Sequence, residues 1–436
     1  MTTGPAPAPR PDWTGGRGLI LAAPSSGSGK TTATLGLLRA LHQDQIPVRG
    51  AKSGPDYIDP RFHEAACGQV CYNLDAWAMQ PDRLRALIAG PGLALIEGAM
   101  GLFDGAPPTG KGATADLARL LKLPVVLVVD CSSMAQSIGA LVAGFARHDP
   151  QVTIAGVILN RVGSDRHRAM LSAALDIPIL GALPRTTSLA TPSRHLGLVQ
   201  AQEREDLESF LTQAAQLVRD NIDLPALQDL AQPLPQPAPA KSPAPPAQHI
   251  ALAQDKAFAF AYPHLLADWR KAGAEILPFS PLADDPLPQS DLIYLPGGYP
   301  ELYAAQLAAS RNFLPGLRRA AEAGRQIYGE CGGYMVLGRG LIDKDGQPHA
   351  MAGLLGLETS FAQRKLHLGY RRLHAKSGPF PGTHLGHEFH YATTVTAEGS
   401  PLFQAWDAEG TALPPMGLRA GWVCGSFAHV IDSPGP

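Results

Sequence analysis

The sequence predicts an α/β protein of two domains, a doubly wound parallel sheet followed by a second, smaller α/β unit. Three observations predict it. Continuous apolar runs alternate with helical patterns, a proline-rich break divides the chain near residue 235, and each half carries a glycine-bracketed turn from strand to helix.

Before the break, residues 19–23, 93–96, 125–129 and 154–159 are rich in Leu and β-branched residues with almost no alternation. Strands covered by helices on both faces read this way. Residues 32–42 and 113–121 have helical spacing and suit crossover helices. Within the break, Pro233, Pro235, Pro237, Pro239, Pro243, Pro245 and Pro246 alternate with Ala, Gln and Leu. A chain missing so many N–H donors behaves as a stiff, extended spacer. Beyond it, residues 250–253, 292–295 and 326–328 resemble strands, separated by helical stretches around 262–272 and 313–323. The expected organisation is a flexible tail over 1–17, a nucleotide domain over 18–225, a linker over 226–248 and a second domain over 249–436.

Composition narrows the function. Of 436 residues, 45% are hydrophobic and 17% charged, enough apolar material for buried cores. Lys and Arg number 36 against 38 Asp and Glu, a net charge of -2, which gives no electrostatic reason for a nucleic-acid or anionic-membrane partner. Five cysteines are few and odd in number, so a disulfide framework is not expected and a reducing setting fits. Residues 1–16 lack an apolar core, so no secretory signal is expected, and no uncharged run approaches the roughly 18 residues of a spanning helix. The expected location is cytoplasmic.

The first chemistry-bearing motif is Pro24-Ser25-Ser26-Gly27-Ser28-Gly29-Lys30-Thr31, after a strand and before a helix. Its small residues let backbone amides converge on phosphate oxygens; Lys30 reaches the outer phosphates and the Thr31 hydroxyl ligates magnesium. Gly27, Ser28, Gly29, Lys30, Thr31 and Thr32 are therefore expected at the nucleotide, although Pro24 replaces the motif's usual first glycine. Metal-binding acids belong at neighbouring strand ends. Glu97 closes residues 93–97 and is the best placed; Asp104 lies on the following loop, and Asp56 and Asp59 sit in the turn-rich segment 54–60. Asn160 ends another apolar strand, where an amide can pair with a purine edge or simply serve a turn.

The second motif is Tyr328-Gly329-Glu330-Cys331-Gly332-Gly333-Tyr334. Flanking glycines permit a strained turn that exposes one nucleophile and frees amides, Gly332 among them, for an oxyanion hole; the helix N-terminus is expected to lower the thiol pKa. The glycine turn at 296–300 offers Gly298 to complete that hole. His429 is the expected base, with His384, His387 and His390 as a rival cluster. Read as metal ligands, those three alternate rather than converge.

The phosphate loop, residues 54–60, 97–105, 194–198, 296–301, 330–333 and 386–391 together closely resemble the cobyrinic acid a,c-diamide synthase family, whose aerobic-pathway branch acts on hydrogenobyrinic acid. The resemblance spans residues 19–430 and rests on specific strings, GPDYIDP and GHEFHY. It implies a dethiobiotin-synthetase-like P-loop domain fused to a class I glutamine amidotransferase-like domain. Cys331 would attack glutamine, and His429 matches the family's histidine; class I relatives carry an acid two positions later, where this chain has Ile431. The resemblance further implies ATP-dependent conversion of the a and c acetates to amides through acyl phosphates. Mg2+ would be held by Thr31, Glu97 and Asp56, and Tyr57, Ile58, Asp59 and Asp104 would contact the substrate. The implied partners are a corrinoid, ATP and glutamine, with no nucleic acid and no membrane; a homodimer is compatible with this reading. Cobyric acid synthase and nickel-sirohydrochlorin amidation are rivals of similar domain composition. A partition-type ATPase switch is disfavoured, because residues 24–26 lack the second lysine of those proteins.

Overall fold

The computed structural model describes residues 14–186, 193–194, 197–237, 239 and 242–434. Most of the expected tail, and His195 and Leu196 of the quoted motifs, lie outside the described residues.

The first half is built on β1 (Arg17–Ala22), β2 (Val48–Ser53), β3 (Tyr72–Leu74), β4 (Leu93–Glu97), β5 (Val125–Asp130), β6 (Ile154–Val162) and β7 (Ile179–Pro184), all parallel, in the order β3-β2-β4-β1-β5-β6-β7. The strands expected at 19–23, 93–96, 125–129 and 154–159 are four central members of this sheet. Their side chains are buried on both sides, with Ile20 and Ile96 in one cluster and Leu19, Leu21 and Leu95 in another. That double burial accounts for the missing alternation. Neighbouring β2, β4 and β1 deliver the segment 54–60, Glu97 and the phosphate loop to the same carboxyl edge, where ligands of open α/β sheets bind.

The expected spacer begins differently. Residues Leu224–Leu230 form a helix, with Pro225 in its first turn and the Asp223 carboxylate accepting from the Ala226 N–H. Proline in the first turn sacrifices no helical hydrogen bond. Gln232–Pro233 then pairs antiparallel with the start of β1, so the first residues of the expected spacer belong to the first half.

In the second half, strands Glu275–Phe279, His249–Ala253, Leu292–Leu295, Gln326–Glu330 and Val423–Ser426 lie parallel in that order, with Leu418–Ala420 antiparallel at the edge. Two further sheets were not foreseen. One is a mixed four-stranded sheet; the other is a five-stranded antiparallel sheet containing His367–Ala375, Gly382–His390 and His429–Asp432. These strands carry polar residues at many positions, so local apolar periodicity does not report them.

The two halves dock closely. One apolar cluster includes Ile20 and Ile96 from the first and Ile250 and Tyr328 from the second. Buried Arg83 forms a forked pair with Asp268 and reaches Asp432 at 3.1 Å. The Tyr370 hydroxyl donates to Asp75 across the junction at 3.0 Å, with its ring stacked on Trp77 at 4.4 Å. No described helix is long and apolar enough to cross a membrane.

Candidate active site

The phosphate loop turns through two left-handed glycines, Gly27 (φ 78°) and Gly29 (φ 89°), into the helix Lys30–Gln43. No side chain caps that helix, so its first amides face outward, the arrangement that binds anions. Gly29 is required twice over: its φ is positive, and a Cβ there would stand 2.1 Å from Asn160 Nδ2. Asn160 is engaged by the loop itself. Its amide N–H donates to the Ser28 carbonyl at 2.9 Å and its oxygen accepts from the Arg161 N–H, so it props the loop. Lys30 donates to the Met100 carbonyl at 2.6 Å, and burial lowers its pKa.

Glu97 is fully buried. One of its oxygens accepts from the Thr31 hydroxyl at 2.6 Å and from Lys52 Nζ at 2.9 Å; the other lies 2.7 Å from His63 Nε2. Burial alone would raise its pKa, but Lys52, His63 and Thr31 hold it well below the usual carboxylate range. Lys52 also donates to Asp59 at 2.6 Å and lies 3.9 Å from Asp56. Against its own desolvation, these three acids hold Lys52 charged. Asp59, expected at the substrate, lies 3.5 Å from the Thr31 hydroxyl and is nearer the Thr31–Glu97 pair than Asp56 is. Asp56 caps the Ile58 N–H at 2.7 Å, and its carboxyl is pushed up to about 7 by burial and by Asp59. Asp104 accepts from the Gly101 N–H within its loop.

In the second half, Cys331 sits at φ 46°, a strained conformation for a residue with a Cβ, immediately before the helix Gly332–Leu337. Strain of this kind at a strand-to-helix elbow presents a nucleophile. A Cβ on Gly332 would lie 3.1 Å from Gly298 N, so the two expected oxyanion amides are neighbours. A Cβ on Gly297 would stand 2.3 Å from His429 Cε1 and 3.3 Å from Cys331 Cβ, so the cysteine and the imidazole both crowd that glycine. The expected lowering of the thiol pKa does not hold. Burial pushes Cys331 up, and Glu301, Glu388 and Glu330 add to the rise, opposed in part by a hydrogen bond from Gly332. Desolvation and three carboxylates outweigh one helix terminus, so deprotonation depends on a base.

Of the rival histidines, His384 lies near the Pro381 carbonyl and His390 near Glu388. His387 packs on Tyr370 and is lowered to about 3 by burial and by neighbouring His429. Only His390 belongs to a tight group of candidate ligands, with His367 and Glu388, among the described residues.

Residues of both halves line one cavity of about 680 Å³. Asp56, Tyr57, Ile58 and Asp104 line it from the first half; Gly298, Glu301 and Cys331 line it from the second.

Two sequence families match. The CobQ/CobB/MinD/ParA nucleotide binding domain covers residues 19–199, and the CobB/CobQ-like glutamine amidotransferase domain covers 249–435. A hydrogenobyrinate a,c-diamide synthase of Brucella anthropi is 55% identical over 430 residues, covering 95% of this chain and 98% of that protein. Proteins of the same name from Rhizobium meliloti and Rhodobacter capsulatus are 52% and 51% identical, covering 95% and 96% of this chain and 99% of each relative. The chain belongs to the hydrogenobyrinate a,c-diamide synthase family.

Members of this family are glutamine-dependent, amide-forming ligases, and the two-centre cavity suits that division of labour. Sequence reasoning did not single out Lys52, His63 or Glu330. A lone lysine in the small-residue strand Val48–Ser53, just before the acidic segment 54–60, was the available signal for Lys52. Glu330 stood in the quoted thiol string without a role, and His63 was indistinguishable from a surface helix residue.

Proposed function

We propose that this chain converts the a and c acetate carboxylates of hydrogenobyrinic acid to amides, using ATP and nitrogen from glutamine. The observation that carries the reading is the shared cavity, touched by Cys331 on one side and by Asp56 and Asp104 on the other.

In the glutaminase half, the Cys331 sulfur attacks the glutamine side-chain carbonyl and His429 takes the thiol proton. Gly298 and Gly332 amides receive the oxyanion. Collapse breaks the C–N bond, His429 returns the proton to the departing ammonia, and water hydrolyses the thioester. In the ATP half, a substrate carboxylate oxygen attacks the γ-phosphorus and ADP leaves. Ammonia then attacks the acyl carbon and phosphate departs. Free ammonia is mostly protonated at neutral pH, so release into the cavity lined by both halves shortens its path to the acyl phosphate.

The residues near the phosphate loop fit Mg2+. The Thr31 hydroxyl and the Glu97 and Asp59 carboxylates form a compact set of oxygen donors, the ligand type this hard cation takes. Thr31 and Glu97 would hold it, with Asp59 better placed than Asp56 to join them, and it would neutralise charge on the transferring phosphate. Lys52 balances the same acids. Gly27, Ser28, Gly29 and Thr32 complete the phosphate cradle; Tyr57, Ile58 and Asp104 face the substrate side of the cavity. The first domain runs from 17 to 233, taking in the helix Leu224–Leu230 and the strand Gln232–Pro233 that pairs with β1, and the second covers 249–436, with location in the cytoplasm.

The test supplies purified protein with ATP, Mg2+ and glutamine, and offers hydrogenobyrinic or cobyrinic acid. Mass spectrometry should record two successive losses of about one mass unit, hydroxyl replaced by amino. No change with either corrinoid would sink the reading, and product from only the cobalt-containing acid would reassign the substrate.

A further inference from the structure

We infer that Glu330 is the positioning residue of the glutaminase centre, holding the His429 imidazole in the tautomer and orientation that accept the Cys331 proton. This rests on the glutaminase reading of Cys331 and His429 given above.

The geometry has four parts. Glu330 closes the strand Gln326–Glu330 directly before the nucleophile and is 1% exposed. His429, also 1% exposed, opens the strand His429–Asp432, and its Nδ1 makes no hydrogen bond in the resting arrangement while facing Glu330 Oε2 at 3.4 Å. A buried ring nitrogen with a carboxylate oxygen just beyond bonding distance is a contact a small ring movement completes, and catalytic hydrogen bonds often tighten only with substrate bound. The carboxylate itself is anchored. Tyr294 donates to Oε2 at 2.6 Å, Tyr328 to Oε1 at 3.2 Å and the Val430 N–H to Oε1 at 3.1 Å. A Cβ at Gly297 would lie 2.3 Å from His429 Cε1, 2.7 Å from its Nε2 and 3.3 Å from Cys331 Cβ. Nε2 and the Cys331 Cβ thus lie within reach of the same point beside Gly297, while Nδ1 faces Glu330.

Position in the chain explains why this acid escapes notice. Ile431 occupies the place two residues after the histidine, and its backbone carbonyl is taken by His264 at 2.8 Å. Parallel pairing of Gln326–Glu330 with Val423–Ser426 sets Glu330 opposite Ser426, three residues before His429. The acid is therefore contributed by the nucleophile's own strand. With Nδ1–H donating to Glu330, Nε2 is left unprotonated and able to accept the thiol proton, and the carboxylate stabilises the imidazolium that forms.

The test is Glu330→Gln. The Val430 N–H fixes the amide oxygen at the Oε1 position, so the new NH2 faces His429 Nδ1, favouring the tautomer protonated at Nε2. Glutamine-dependent kcat should fall about 10²–10⁴-fold, the range seen when such an acid becomes an amide, with glutamine KM changed less than about threefold. Turnover with ammonium salts should persist, and Cys331 alkylation by iodoacetamide should slow in parallel with kcat. In a His429→Gln background, Glu330→Gln should have no further effect on alkylation. Glutamine-dependent kcat within about threefold of the parent, or equal loss with glutamine and ammonium in folded protein, overturns the inference. If the Gln variant does not fold, Glu330→Asp decides by the same ratio of glutamine to ammonium rates. Cys331→Ala run alongside separates the two levels: full glutamine-dependent activity in that variant sinks the glutaminase reading itself.

Discussion

The phenol ring of Tyr57 packs against the imidazole of His429, centroids 4.6 Å apart and planes tilted 40°. Tyr57 belongs to the segment that carries Asp56 and Asp59, so that loop touches the histidine proposed as the glutaminase base directly. Phe260 and Tyr262 of the second half flank the same ring at 5.2 and 4.5 Å. A shift of that loop would therefore press on His429. Tyr57→Ala should loosen this link: amide formed per glutamine hydrolysed should fall about fivefold or more, within the usual range of site-to-site coupling. Parallel assays of glutamate release and corrinoid amidation measure the ratio, and an unchanged ratio would refute the link.

Cys331→Ala should lose glutamine-dependent amidation by roughly a thousandfold or more while retaining turnover with ammonium salts. The ATP centre is intact in that variant and needs only nitrogen. Failure with ammonium in a folded protein would mean that the two chemistries are divided differently.

Lys52→Met should stop both routes. The lysine is 3% exposed and balances Glu97, Asp59 and Asp56; removing it leaves uncompensated buried charge, at a cost of about 3–5 kcal/mol. Chemical denaturation reads the stability loss and the ammonium assay reads the activity. A variant that keeps both would show that the acids are balanced elsewhere.

Asp75 gives a pH signature. It is fully buried, and burial pushes its carboxyl up to about 6 although the Ala78 and Trp77 amides and the Tyr370 hydroxyl favour its charged form. Its folded pKa lies above the unfolded one, so the folded state holds a proton that the unfolded state has lost between about pH 4 and 6. The contribution of Asp75 to stability therefore grows as pH falls through 6 and is lost as pH rises through it. Against Asp75→Asn, the stability of the parent protein should rise on acidification across that window by roughly 2–3 kcal/mol, read from paired urea titrations. A constant difference would remove Asp75 from the linkage.

The sequence by itself determined the central strands of the first sheet, the phosphate loop, the thiol elbow and the family resemblance. Each of these is local. Double burial erases alternation along a strand, a phosphate cradle needs successive small residues, and a strained elbow needs glycines on both sides of one nucleophile. What only the tertiary structure decided is how distant groups meet. Lys52 meets Glu97 because β2 and β4 are neighbours, and Glu330 meets His429 through pairing of strands about a hundred residues apart. Asp59 rather than Asp56 approaches Thr31, and the elbow's thiol is pushed up rather than down, because burial and charge depend on what packs from elsewhere. Sequence spacing records neighbours along the chain; desolvation and charge balance are set by neighbours in space.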